Sequence, residues 1–134
     1  RIMITILLAL PFFMGNIAKT EVDNSLHIVM VGDMLMHERV MESGKQEDGS
    51  FQFDHLFSNV KDTIWEADLA LVNQETILGG TQLRLSGYPC FNSPYELGDA
   101  LVDAGFDVVL HATNHALDRG VEGIDFTKSF FEKN

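Results

Sequence analysis

Three hydrophobic runs punctuate the chain, and each breaks off into polar residues. His27-Ile-Val-Met-Val31 leads into Gly32-Asp33 and then His37; Leu69-Ala-Leu-Val72 leads into Asn73-Gln74-Glu75; Val108-Val-Leu110 leads into Thr113-Asn114-His115. Between the first two runs Leu56, Val60 and Ile64 recur at helical spacing, backed by Phe53 and Phe57, which predicts a helix ending before the second strand. Between the second and third, Ser93-Pro94-Tyr95-Glu96 combines an N-cap serine, a proline at the first helical position and a capping-box glutamate. Leu97, Ala100, Leu101 and Ala104 then make one apolar face, and Gly105 stops the helix before a strand over Phe106 to Ala112.

The pattern therefore predicts an α/β chain of two strand-helix-strand units. Right-handed crossovers set such strands parallel, with their carboxyl ends at one edge. Ligands of open α/β sheets sit outside that edge, so side chains far apart in sequence converge there. Three polar strand endings imply one site. Elsewhere the pattern is less regular. Met34 to Ser43 reads as a helix or an irregular loop, Gly44 to Gly49 as a polar loop, and Thr76 to Phe91 as an excursion over the strand ends. From Gly120, Val121, Ile124 and the phenylalanines near 130 begin another helix, inside which the sequence is expected to stop.

Residues 1–24 follow a different logic. Ile2 to Met14 is uncharged and almost wholly apolar, and polar Lys19 to Asn24 follows. Its length suits a signal peptide, whose apolar region is about 7 to 15 residues, better than a spanning helix of roughly 20, although Asn16 departs from the small-residue cleavage pattern. Signal peptide or short membrane anchor, with export either way, is the expectation. A buried core helix is the alternative. Residues 25–134 are read as the N-terminal portion of a larger domain.

Composition narrows the partners. The chain has 134 residues, 46% of them hydrophobic, with a net charge of −11. Nine dispersed basic residues do not make a phosphate-binding stripe, so no nucleic acid is expected as a partner. Divalent cations suit an acidic chain better. Cys90, the single cysteine, excludes an intramolecular disulfide and a multi-cysteine zinc site, and is read as a small buried residue.

The strand endings carry the candidate chemistry. If a helical turn follows Asp33, His37 shares its face, and carboxylate and imidazole could approach one ion. Asn73 and Glu75 lie two apart, so one can enter the cleft while the other satisfies backbone groups; Glu75 is the stronger ligand by charge, and the choice stays open. Asn114 offers a hard oxygen donor, and His115 an imidazole that can transfer a proton near neutral pH. Asp118 either caps the next helix or orients His115. His111 reads as a core histidine, and His27 and His55 have no supporting context.

Gly32-Asp33-Met-Leu-Met-His37, Asn73-Gln-Glu75-Thr76, Phe91-Asn-Ser-Pro94, and Ala104-Gly-Phe-Asp-Val-Val109 through Thr113-Asn-His-Ala-Leu-Asp118-Arg-Gly120 together resemble the poly-γ-glutamate capsule-synthesis, or CapA-like, family over roughly residues 27–131. That family is related to calcineurin-like metallophosphoesterases. The resemblance implies the N-terminal half of a metallophosphatase-like four-layer αββα sandwich with a metal centre at its strand ends. It implies metal ligation at Asp33, His37, Asn73 or Glu75, and Asn114, with His115 as catalytic proton donor. The metal would be a divalent ion, with manganese, magnesium, zinc and iron as candidates. The Asp-to-His spacing and the Thr-Asn-His-Ala sequence depart from the phosphoesterase motifs, and so leave the number of metals open.

The implied role is an exported, membrane-associated component of poly-γ-glutamate capsule synthesis or polymer export. Its partners would be poly-γ-glutamate, membrane-bound capsule-synthesis proteins, and the membrane itself through the N-terminus. The alternatives are a metal-dependent surface hydrolase of a phosphoester or amide, and a non-catalytic anchoring or binding module. An acidic protein repels a polyanion unless bound cations or local basic residues offset the field.

Overall fold

The computed structural model describes residues 24–134. The signal peptide or anchor expected over 1–24 lies almost entirely outside the described residues. Among those described, no helix is long and apolar enough to cross a membrane.

Three parallel strands, β1 (Ile28–Asp33), β2 (Leu69–Asn73) and β3 (Val108–Leu110), form one sheet in the order β1-β2-β3. Each of the three runs is thus a strand, although β3 is much shorter than the expected span. Among the described residues four α-helices, α1 (Glu38–Ser43), α2 (Lys61–Trp65), α3 (Glu96–Ala104) and α4 (Gly120–Phe131), complete a mixed α/β fold consistent with part of a metallophosphatase-like domain. Alternation along β2 turns Ala70 and Val72 into a core shared with Ile64, Leu97, Leu101 and Phe57. The other face of the sheet leaves Ile28, Met30 and Leu110 exposed.

Several local expectations are corrected. The helix predicted through Leu56, Val60 and Ile64 is broken into a 3₁₀ turn over Asp54–Leu56 and the short α2. The carbonyl of Phe57 accepts both the Val60 and Lys61 amides, and Val60 lies on the surface, so the apolar spacing spans two short elements. Residues 34–37 are not helical; His37 is extended at the N-cap of α1, and its proximity to the site does not come from a shared helical face. α3 begins at Glu96 without a side-chain cap, because the Ser93 hydroxyl is engaged with Thr76 Oγ1 at 2.6 Å. α4 closes at Phe131 with Glu132 as C-cap, within the chain. Cys90 is exposed, being carried on the surface excursion after β2. Gly105 ends α3 as expected, in the left-handed conformation that its missing Cβ permits, with φ 95°.

Candidate functional site at the strand ends

The parallel register brings the first two strand endings together. β1 and β2 pair residue for residue from Ile28–Leu69 to Val31–Val72, and then the register slips so that Asp33, and not Gly32, faces Asn73. A one-residue bulge of this kind re-aims the side chains that follow it. The Asp33 carboxylate accepts a hydrogen bond from the Asn73 amide at 2.6 Å, and the Met34 amide donates to the Asn73 carbonyl at 2.8 Å. Asn73 thus positions Asp33.

Glu75 lies two residues beyond Asn73 and is only 8% exposed. Its pKa is raised above the ordinary glutamate value, first because burial penalises its charge, then because the Asp33 carboxylate lies beside it and accepts a hydrogen bond from its protonated form. The imidazoles of His115 and His37 act in the opposite direction. Asp33, His37 and His115, from three strand endings, therefore all act on Glu75.

His115 is the best-fixed of the four. Its Nδ1 stands 2.8 Å from Asp118 Oδ2, and the same oxygen accepts the Phe91 amide at 2.7 Å. An acceptor at Nδ1 puts the proton there in the neutral ring and leaves Nε2 free. That Nε2 faces Glu75, 4.0 Å from Oε1. The His115 amide is also held, donating to Thr113 Oγ1 at 3.2 Å. Of the two roles open to Asp118, the structure selects orientation of His115, since α4 has no side-chain cap.

Phe91, 1% exposed, stands edge-on to both imidazoles, with ring centroids 5.2 Å from His37 and 4.7 Å from His115. Its place in the chain gave no sign of this; only the Phe-Asn-Ser-Pro motif marked the segment. His111 is tied through Nδ1 to the Gln74 carbonyl at 2.6 Å, which agrees with a core role, although its buried Nε2 has no protein partner among the described residues. Asn114 is exposed, and among the described residues its side chain hydrogen-bonds the neighbouring Thr113 hydroxyl, at 3.4 Å, and not the cluster.

The buried Glu75 and exposed Asp33 carboxylates, which repel each other and are flanked by the Asn73 carboxamide and imidazoles, are the donor chemistry of a hard or borderline divalent cation. A cation held between Asp33 and Glu75 would relieve the same repulsion that raises the Glu75 pKa. As arranged, however, no group of three or more His, Cys, Asp and Glu side chains among the described residues is close enough to enclose an ion. The donor types fit, and the carboxylate pair is the part already assembled.

Residues 27–134 match the family described as bacterial capsule synthesis protein PGA_cap, and the chain belongs to that family. It is also similar to two proteins of Sinorhizobium fredii, the uncharacterized proteins y4sH and y4uA, each 28% identical over 122 residues, covering 86% of this chain and 24% of the relative. The chain thus spans about a quarter of the length of these curated relatives.

Proposed function

We propose that this member of the bacterial capsule synthesis family is a surface-associated component of poly-γ-glutamate capsule synthesis or export, and that its strand-end cluster performs hydrolytic chemistry on a phosphoester or amide. Family membership supports the capsule role. The single observation that supports the chemistry is the Asp118–His115–Glu75 alignment, which aims the His115 Nε2 at the buried Glu75 carboxyl beside Asp33.

In this reading His115 acts as the imidazolium: it gives its Nε2 proton to the leaving group and returns to the neutral Nδ1–H ring, which Asp118 holds in orientation. Phe91 keeps water from the ring faces and sets the spacing of the two imidazoles. A divalent cation, held at Asp33 and Glu75, would supply positive charge to polarise the substrate oxygen and to acidify water. Asn73 keeps the Asp33 carboxylate turned toward Glu75.

Full-length protein assayed with manganese, zinc and magnesium should turn over a generic phosphoester or a γ-glutamyl amide, and His115→Ala should abolish that turnover. Loss of surface polyglutamate on deletion of the gene tests the capsule role separately. Unchanged surface polymer would end that part of the reading, and retained turnover in His115→Ala would end the other.

A further inference from the structure

Basic side chains are scarce in this chain, and their placement is uneven. Among the described residues Lys45, Lys61 and Lys128 each pair with a carboxylate, of Glu42, Asp103 and Glu132. The three described arginines behave differently. Arg39, Arg84 and Arg119 all line two adjoining clefts that share Glu38 and Tyr88 as their common wall. The smaller, of about 320 Å³, includes His37 of the strand-end cluster; the larger, of about 450 Å³, holds Arg84 and Arg119.

Arg119 is fixed. It follows Asp118, the residue that holds His115, and its guanidinium donates to the Asp118 carbonyl and to the Ser86 hydroxyl. Ser86 in turn donates to the Cys90 carbonyl at 2.6 Å, which ties the 86–90 loop into the cleft wall. The side chains of Arg84 and Arg39 have no carboxylate or hydrogen-bond partner among the described residues, and both are exposed. Arg84 is also held at φ 57°, a backbone region that costs a non-glycine residue free energy and is found mostly where function requires it. Glu38 lies in the same wall, its stem packed against Gly87, so the larger cleft carries two guanidinium groups against one carboxylate.

A chain of net charge −11 repels anions at long range. Its described arginines nevertheless line clefts beside the site. Guanidinium groups offer the fork of N–H donors that matches a carboxylate or phosphate, and they shed water more readily than ammonium groups do. We propose that Arg84 and Arg119, with Arg39 across Tyr88, form an oxyanion-binding subsite that receives a carboxylate or phosphate group of a substrate extending from the strand-end cluster. It rests on the reading of that cluster as the reaction centre, and deepens it by naming the part that overcomes the protein's own charge.

The test uses full-length protein stripped of divalent ions by chelation, titrated calorimetrically with inorganic phosphate and, separately, with the dicarboxylate glutarate. Saturable binding that weakens with salt is expected for at least one probe, and the tighter of the two identifies the source of the oxyanion. Arg84→Gln should weaken it about tenfold, as loss of one charge-assisted contact does. Arg84→Lys should recover only part of the loss, while Lys61→Gln, at a residue that lines neither cleft and pairs with Asp103, should leave binding unchanged. Neither probe binding the wild type, or both binding Arg84→Gln and Arg119→Gln as tightly as wild type, would overturn the subsite. Because this readout needs no turnover, weakened binding in Arg84→Gln alongside undiminished turnover in His115→Ala would sink the hydrolytic reading and leave the subsite standing.

Discussion

Asp118 Oδ2 lies 2.8 Å from Nδ1 of His115, and this contact decides which end of the imidazole faces the carboxylate pair. Both residues come from the turn between β3 and α4, three positions apart, so the orientation is built locally. The same oxygen receives the Phe91 amide, which links that turn to the excursion after β2.

Removal of the acceptor should therefore disturb two segments at once. Asp118→Ala is expected to leave His115 without a fixed tautomer, visible as loss of a single Nδ1-protonated pattern in long-range nitrogen–proton spectra of the imidazoles. Turnover that depends on His115 should fall about a hundredfold, the ordinary worth of a positioned general acid. An unchanged tautomer pattern would remove the orienting role.

The Asp33–Glu75 pair sets a pH dependence. Glu75 has its pKa raised on folding, so its contribution favours the fold below the ordinary glutamate range and is lost as pH rises through the folded value. In protein freed of divalent ions, Glu75→Gln should be more stable than wild type at neutral pH, and the difference should vanish on acidification below pH ~4. Thermal melts at both pH values check the sign. A neutral-pH loss of stability would contradict the repulsion.

Below the site, Thr127 joins α4 to the segment after β2. Its buried hydroxyl accepts the Leu78 amide at 2.9 Å and donates to the Gly123 carbonyl at 3.0 Å. Thr127→Val keeps the shape but leaves the Leu78 amide buried without a partner, a cost of about 1 to 3 kcal/mol. Urea unfolding should show the shift in midpoint with little change in slope.

How far the sequence reading reached depended on whether a feature was local. The three strands were legible because each is a continuous apolar run, and their shared edge followed from two helix-bearing connections. Asp33, His37, Glu75 and His115 do converge, while Asn114 remains with its neighbour. The choice between Asn73 and Glu75 resolves into two jobs: Asn73 donates to Asp33, and Glu75 faces it. The slip at Gly32 and the Phe91 wedge depend on strands and loops meeting in space, and no spacing in the sequence encodes them. Ser93 misled for the same reason: its hydroxyl had a cap to make locally, and a partner 17 residues away took it.

The most direct test of the account is the divalent-metal content of the full-length protein after exhaustive dialysis, comparing wild type with Asp33→Ala, Glu75→Ala and Asn114→Ala. The convergence of the strand ends predicts bound metal in the wild type, its loss in Asp33→Ala and Glu75→Ala, and a smaller effect for Asn114→Ala, whose side chain stands apart from the pair. Metal content unchanged by either carboxylate substitution would contradict it.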